Sequence, residues 1–297
     1  TEANALAMNS VADLPLYISA IEHPSIFENT ETRQGPTTVL TVTPQGMLDI
    51  DSPHWQNLQP QSALSIMMAN NETGVIQDMA AISDYCHTKG IWIHSDAVQA
   101  LGKLPFSFRQ LDLDMLSISS HKIYGPKGCG ALIIKNSTAL KPLQRGGNQE
   151  YSLRAGTENV AAIVGFGKAA ELAQKRMIER HNHLLELREH LEQQLQALPG
   201  VQIFSHQATR LINTVQFALD GQHGEMLLMQ LDKLGFAVSS GSACKAGSGT
   251  TSPVLAAMGI PVHLAQSAIR ISLGKDNTLE QIDQFITNLQ SLAAHTI

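Results

Sequence analysis

The stretch Met115-Leu-Ser-Ile-Ser-Ser-His-Lys-Ile-Tyr-Gly-Pro-Lys-Gly128 gives the first indication of fold and chemistry. Its apolar start predicts a buried strand, after which Ser119, His121 and Lys122 precede a Gly-Pro turn. Ligands of open α/β sheets bind just beyond the carboxyl ends of the strands. Hydroxyls, an imidazole and an amine there suit a phosphate and a Schiff base, and burial would make the lysine amine nucleophilic. Taken alone, such a segment is better interpreted as a polar loop with a solvated lysine.

An acidic residue ends a second apolar strand, Ile91-Trp-Ile-His-Ser-Asp96, one βαβ unit earlier. A carboxylate in that place suits pyridoxal phosphate (PLP), because it keeps the pyridine nitrogen protonated and the ring then acts as an electron sink. Two alternatives carry less weight. Asp96 by itself is a candidate helix N-cap, and a metal site built on His94 and Asp96 lacks a third ligand nearby.

Short apolar runs alternate with helical patterns along the first 135 residues. The runs show little polar alternation, which is typical of strands covered on both faces, and they predict βαβ units in a parallel sheet. The fold class is therefore α/β, with a mostly parallel central sheet flanked by helices. The predicted strands are 16–20, 63–68, 90–94, 115–119 and 129–134.

The second half of the chain has a different pattern. A strongly helical stretch over 160–198 stops at Leu198-Pro-Gly200, and shorter strands and helices follow it. The predicted strands are 202–204, 213–217, 237–239 and 269–273, with helices at 224–233 and from Thr278, where Gln281 completes a capping box. We therefore expect a large PLP-binding domain over residues 1–175 and a smaller α+β C-terminal domain over residues 176–297.

The composition excludes several classes of protein. A net charge of −6 offers no field for nucleic acid or an anionic membrane, and no apolar run is long enough to span a bilayer. Three cysteines without a CxxC pair argue against a disulfide scaffold and favour a reducing compartment such as the cytoplasm. Cys86 and Cys129 lie in apolar segments and are expected to be buried. The helical histidines His181, His183 and His190 lack an HExxH pattern, so a solvated helix face is favoured over a metal hydrolase.

Several motifs, in order, resemble those of the cysteine desulfurases, which are class-V aminotransferase-like PLP enzymes of fold type I. The two central segments are His-Ser-Asp-Ala-Val-Gln-Ala-Leu-Gly-Lys (94–103) and Ser-Ser-His-Lys-Ile-Tyr-Gly-Pro-Lys-Gly (119–128). The others are Glu-His-Pro-Ser (22–25), Asn-Asn-Glu-Thr-Gly-Val (70–75), Gly-Gly-Asn-Gln-Glu (146–150), Arg-Ala-Gly-Thr-Glu-Asn (154–159), Ser-Ser-Gly-Ser-Ala-Cys (239–244) and Arg-Ile-Ser-Leu-Gly (270–274). The resemblance covers nearly the whole chain.

The resemblance implies a role for each matching residue. Lys122 is the Schiff-base lysine and removes the substrate's α-proton, and Asp96 pairs with the pyridine nitrogen. His23 stacks on the ring, with a catalytic role. The remaining cofactor contacts are Gln99 and Asn71 at the phenolic oxygen, with Asn71 also reaching the substrate, and Ser119 and His121 at the phosphate.

Further roles follow from the same resemblance. Arg270 clamps the substrate carboxylate, for which a planar guanidinium is suited. Thr157 reaches the phosphate of a partner subunit, which implies a homodimer with shared active sites. By the same resemblance, Thr1 is the phosphate-contacting threonine of a turn, and the given sequence begins in the middle of that turn. An N-terminal segment is therefore expected to be missing. A chain that lacks this segment is, as an alternative, an inactive fragment of a desulfurase.

Cys244 lies in a loop of glycine and small residues, and Lys245 beside it favours the thiolate. By resemblance it accepts sulfur from L-cysteine as a persulfide and passes it to an acceptor protein, an iron–sulfur scaffold or a sulfur carrier. Lys245-Ala246 and Thr250-Thr-Ser-Pro253 depart from the family pattern and leave the acceptor open. Two relatives of this chemistry stay open as alternatives. The sequence does not exclude a selenocysteine lyase, whereas a plain aminotransferase would not need Cys244.

Overall fold

A computed structural model describes residues 1–240 and 251–294. These residues form two compact units. The first comprises Thr1–Thr41, Leu48–Ala69 and Gln77–Met177. The second comprises Val42–Met47, Asn70–Ile76 and the described residues from Ile178 onward, so it takes up two short segments from the first half of the chain.

The first unit is built on a six-stranded sheet. The strands are β1 (Leu16–Ser19), β2 (Thr37–Leu40), β3 (Ala63–Ser65), β4 (Trp92–Asp96), β5 (Met115–Ser119) and β6 (Gly130–Ile134). Their order is β2-β1-β3-β4-β5-β6. All neighbours pair in parallel except β6, which is antiparallel to β5. The predicted α/β class with a mostly parallel sheet is confirmed.

Apolar side chains cover both faces of this sheet. Leu64, Ile93 and Leu116 belong to one buried cluster, whereas Ala63 and Met115, their neighbours in sequence, belong to another. Successive residues of a strand point to opposite faces, so both faces must be apolar. This explains the continuous apolar runs in the sequence.

Helices surround the sheet of the first unit. They are α1 (Glu2–Ser10), α2 (Pro24–Thr30), α3 (Pro53–Gln56), α4 (Met79–Lys89) and α5 (Val160–Lys175). Local signals set their ends. The Asp78 side chain caps α4 by accepting from the amide of Ala81, and Gly90 ends the helix with a left-handed φ of 65°.

The second unit packs helices on a four-stranded antiparallel sheet. The elements are α6 (Met177–Gln196), β7 (Val201–Ile203), β8 (Thr214–Leu219), α7 (Gly224–Lys233), β9 (Ser239–Ser240), α8 (Pro253–Ala257), α9 (Val262–Gln266), β10 (Ala268–Ser272) and α10 (Leu279–Ala294). The strand order is β7-β8-β10-β9. The predicted capping box is confirmed, because the Gln281 amide donates to Thr278 Oγ1 and the Thr278 amide donates to Gln281 Oε1.

Some elements differ from the prediction. Strand β2 was not predicted, because it is a short edge strand whose two threonines are half-buried. The helical stretch 160–198 is interrupted at Arg176, the C-cap of α5. Cys86 is buried as expected, whereas Cys129 is only half-buried. Along residues 1–240 and 251–294, no helix has the length and apolar character to cross a membrane.

Candidate functional site

The candidate site lies at the carboxyl end of the parallel sheet in the first unit. Asp96 is paired with Ser117 in the register of β4 and β5, so the two strands end side by side. Beyond β5, a short 3₁₀ turn over Ser120–Ile123 carries His121 and Lys122. Strand β1 ends at Ser19, shortly before Glu22 and His23. Parallel topology therefore brings three predicted segments to one edge of the sheet.

Asp96 is firmly held at this edge of the sheet. It is 6% exposed. Its Oδ1 atom accepts from the Val98 amide at 2.9 Å, and its Oδ2 atom accepts from Asn4 Nδ2 at 2.7 Å. Two donors fix the carboxylate and leave lone pairs for a third. Such a carboxylate is suited to the N–H of a protonated heteroaromatic ring.

His23 precedes α2 as its N-cap, and its ring is held by Ser25. Nδ1 accepts from the Ser25 amide at 3.1 Å and lies 2.8 Å from Ser25 Oγ. Ser25 Oγ in turn accepts from Asn4 Nδ2 at 2.8 Å. Burial lowers the pKa of His23, although the charge of Asp96 acts in the opposite direction. His23 is therefore a neutral imidazole at neutral pH.

Lys122 differs from the expectation, because its side chain is exposed in the single chain. Lys122 lies in the 3₁₀ turn that follows β5 directly, between the buried residues Ser120 and Ile123. Its charge still acts on this edge. Desolvation and then the charge of Lys122 lower the pKa of Lys103 and of His121. Ser119 Oγ lies 2.8 Å from His121 Nδ1, so the two predicted phosphate ligands are adjacent.

Lys103 is a second amine of the site that the sequence did not single out. Burial lowers its pKa to about 8. Its Nζ atom donates to Gln99 Oε1 at 2.9 Å. Because the amide oxygen of Gln99 is engaged, its Nε2 group becomes the side that donates to a ligand. The available signal in the sequence was the four-residue spacing between Gln99 and Lys103, which brings two side chains together along one turn.

Glu22 is another residue whose chemistry was missed. Burial raises its pKa to about 8, so this carboxyl is protonated at neutral pH. Its Oε1 atom accepts from Ser19 Oγ at 2.6 Å and from the Met67 amide at 2.7 Å. Glu22 thus fixes the turn between β1 and the N-cap His23. Its position in the Glu-His-Pro-Ser motif was the only signal.

His94 is a structural residue. It is fully buried, and burial lowers its pKa to about 4. Its two ring nitrogens lie 2.9 Å from Ser65 Oγ and 2.9 Å from Ser117 Oγ, which ties β4 to both neighbouring strands. In the described part of the chain, no three His, Cys, Asp or Glu side chains are grouped to hold a metal ion.

The helical histidines of the second unit also make structural contacts. His183 Nε2 lies 3.0 Å from the Asn277 carbonyl, and His190 Nε2 lies 2.6 Å from Asp283 Oδ1. Both side chains are half-buried, as is His181. The helical histidines were expected on a solvated face, but the structure half-buries them because α6 uses this face to bind the segment around α10.

Thr1 and Thr157 are exposed in the single chain. Thr1 is the N-cap of α1 but makes no side-chain capping bond. Thr157 lies shortly before α5, whose N-cap is Asn159. The neighbouring Arg154 Nε donates to Glu2 Oε1 at 2.8 Å, so the first residues of the chain and the Arg-Ala-Gly-Thr-Glu-Asn motif are connected within this unit.

Asn71 and Arg270 belong to the second unit, where they are in contact. Arg270 donates through one terminal nitrogen to the Asn71 carbonyl at 3.0 Å and through the other to Ser239 Oγ at 3.1 Å. Ser252 Oγ donates to Glu72 Oε2 at 2.5 Å. Both flanks of the glycine-rich segment are thus anchored. Cys244 itself lies outside the described residues.

Comparisons with known proteins agree across most of the chain. The family model "Aminotransferase class-V" matches residues 1–285. A cysteine desulfurase of Gluconacetobacter diazotrophicus is 41% identical over 282 residues, which are 93% of this chain and 70% of the relative. A NifS-like protein of Rickettsia africae superposes with a TM-score of 0.91 at 37% identity, covering 98% of this chain and 79% of that one. A protein described as SspA in complex with cysteine superposes with a TM-score of 0.75 at 29% identity, covering 93% and 80%.

Proposed function

We propose that this chain, which belongs to the aminotransferase class-V family and within it to the cysteine desulfurases, uses PLP to convert L-cysteine to L-alanine and transfers the sulfur to Cys244. The observation that carries the proposal is the convergence of Asp96, His23 and the Lys122 turn at one edge of the sheet. The cysteine bound in the SspA structure supports the choice of substrate.

The residues at this edge fit PLP. The fixed Asp96 carboxylate would accept the pyridine N–H, and Lys122 would hold the cofactor covalently through its amine. His23 would lie against the ring, and Gln99 and Asn71 would donate to the phenolic oxygen. The phosphate would be held by Ser119, His121 and Thr1 of the same chain and by Thr157 of the partner subunit. When bound, PLP supplies an electron sink for negative charge at the α-carbon of an amino acid.

Three residues of the chain would then each carry out one task. Arg270 binds the substrate carboxylate, for which its fork of donors is suited. Lys122 Nζ takes the α-proton. The Cys244 thiolate attacks the substrate sulfur, so that an S–S bond forms while the C–S bond breaks. The electron pair of the broken bond stays with the carbon, which is protonated and leaves as alanine, and Cys244 is left as a persulfide.

The persulfide would pass to an acceptor protein such as an iron–sulfur scaffold or a sulfur carrier. We place this activity in the cytoplasm, where a reducing environment keeps thiols free. A selenocysteine lyase would use the same residues, so both substrates belong in the assay.

The test is turnover by the PLP-loaded protein with L-cysteine, and separately with L-selenocysteine, in the presence of a thiol reductant. We expect alanine and sulfide in equal amounts from L-cysteine, and no keto acid. Keto acid with loss of the cofactor's carbonyl form would instead identify an aminotransferase. Alanine from selenocysteine alone would identify a selenocysteine lyase.

We also propose that the protein is a homodimer. Helix α5 presents exposed apolar side chains at positions 160, 163 and 164, and these share one face of the helix. Val164 is 66% exposed. The helix begins just after Thr157, so the same surface would bring Thr157 to a partner's phosphate. A contiguous apolar face of this kind is typical of an interaction site.

Changing Val164 to aspartate should convert the dimer to a monomer, because a charge would be buried in the interface. Sedimentation velocity measures the change, and PLP affinity should fall with it as Thr157 of the partner subunit is lost. Val39→Asp is the matched control, since Val39 is 45% exposed on an edge strand of the sheet. A dimer that survives Val164→Asp contradicts the assignment of this face.

A further inference from the structure

We propose that Asn4 and Ser25 are positioning residues that couple Asp96 to His23 and hold the His23 ring as the tautomer with its hydrogen on Nε2. These four side chains form one hydrogen-bonded chain within the first unit: Asp96 to Asn4, Asn4 to Ser25, and Ser25 to His23. The role assigned to His23 rests on the proposed function, whereas the tautomer is a property of the protein without cofactor.

Asp96 sets the donor-to-acceptor direction of these hydrogen bonds. A carboxylate only accepts, so the Asn4 atom 2.7 Å away must be the amide nitrogen and not the oxygen. The same nitrogen lies 2.8 Å from Ser25 Oγ, so its second hydrogen goes there. Asn4 is 2% exposed, and its Oδ1 atom is buried without a hydrogen-bond partner. Burying an amide oxygen without a partner is unfavourable, so the two hydrogen bonds of the amide nitrogen must compensate for it.

The same donor-to-acceptor direction continues from Ser25 to His23. Because Ser25 Oγ accepts from Asn4, its own hydrogen is available for His23 Nδ1 at 2.8 Å. The Ser25 amide also donates to Nδ1, at 3.1 Å. A ring nitrogen that accepts two bonds carries no hydrogen. The hydrogen of the neutral imidazole therefore lies on Nε2, and His23 is a donor through that atom.

Other charges act on His23 without changing this assignment. Burial lowers its pKa most, the charge of Asp96 raises it, and the positive charge of Lys122 lowers it. All of them shift the balance between the charged and the neutral ring. The choice between the two neutral tautomers is instead made by the bonds at Nδ1, which come from Ser25.

In the proposed enzyme, these hydrogen bonds would connect the residue that holds the ring nitrogen, Asp96, with the residue that lies against the ring, His23. Asp96 would hold the ring nitrogen, and its orientation through Asn4 and Ser25 would keep His23 ready to donate. Neither Asn4 nor Ser25 needs to touch substrate for this. Their loss should weaken the donor role of His23 while Lys122 remains able to bind the cofactor.

The test is nitrogen NMR of the cofactor-free protein labelled at histidine, with the His23 signal assigned by its loss in His23→Gln. Above the pKa of His23, we expect Nδ1 to show the shift of an unprotonated nitrogen and Nε2 that of a protonated one. In Ser25→Ala, the ratio of the Nε2–H to the Nδ1–H form should fall about fivefold, the effect of one lost hydrogen bond. Asn4→Ala should lower the same ratio, because Ser25 Oγ then loses its fixed donor.

Matched controls lie on the same helices. Thr30→Ala removes a hydroxyl of α2 that donates to the Phe27 carbonyl, and Asn9→Ala removes an amide of α1 that donates to the Lys141 carbonyl. Both should leave the His23 tautomer unchanged. A dominant Nδ1–H form in the unaltered protein overturns the proposal even if a variant fails to fold. If the PLP-loaded protein shows no preference for L-cysteine as substrate, the proposed function is contradicted, whereas the result on the His23 tautomer is unaffected.

Discussion

Lys122→Ala yields a folded protein that no longer attaches PLP covalently and that loses cysteine turnover by at least about a thousandfold. The variant removes both the amine that would hold the cofactor and the base that would take the α-proton, and each contribution alone is large. Lys122 is exposed in the single chain, so its removal leaves no cavity in the core. Thermal unfolding of the variant should therefore stay close to that of the unaltered protein.

The measurement is reduction of the PLP-loaded protein with borohydride, followed by mass mapping of the labelled lysine. Lys127→Ala is the matched control, because Lys127 is also exposed and lies in the same segment. Lys103 is the serious competitor. Burial and the charge of Lys122 lower its pKa to about 8, so more of its amine is uncharged at neutral pH than for an ordinary lysine. A label on Lys103 in the unaltered protein would show that the lysine was assigned wrongly.

Structure gives a reason to prefer Lys122 to Lys103. The Lys103 amine is already engaged by Gln99 Oε1, and breaking that bond would release the amide that should face the cofactor. Lys122 follows the end of β5 directly, one strand away from Asp96.

The sequence was most informative where a local pattern and the topology coincide. The runs ending at Asp96 and Ser119 are apolar on both faces, so they had to be interior parallel strands, and interior parallel strands end at one edge. Asp96, Ser119 and Lys122 were therefore expected at the same edge of the sheet. Strand β2 escaped it because an edge strand needs no continuous apolar run.

The properties that could not be predicted depend on distant neighbours. Glu22 is protonated because of its burial, and burial comes from packing that no motif encodes. The bond from Asn4 to Asp96 joins residues 92 positions apart. Lys122 is exposed although its neighbours Ser120 and Ile123 in the same 3₁₀ turn are buried, a difference that no motif encodes. Motifs thus identified the chemical groups, whereas the protonation states and the partners of those groups required the fold.

Cys244→Ala should retain the cofactor but form no persulfide and release no sulfide from L-cysteine. The anchored flanks support a role for this segment. On one side Arg270, the proposed ligand of the substrate carboxylate, binds Ser239 Oγ, and on the other side Ser252 Oγ binds the buried Glu72. The segment that carries Cys244 therefore starts beside the proposed substrate ligand.

The other cysteines are poor candidates for this nucleophile. Burial raises the pKa of Cys86 to about 12, which leaves almost no thiolate at neutral pH. Cys129 is half-buried next to β6, and Cys129→Ala is the matched control that should leave sulfur transfer intact. Intact-protein mass after one turnover measures the added sulfur, and the loaded cofactor is read from its absorbance. Sulfide release that survives Cys244→Ala but fails in Cys129→Ala would transfer the role to Cys129, whereas release that survives both would mean that no protein thiol takes the sulfur.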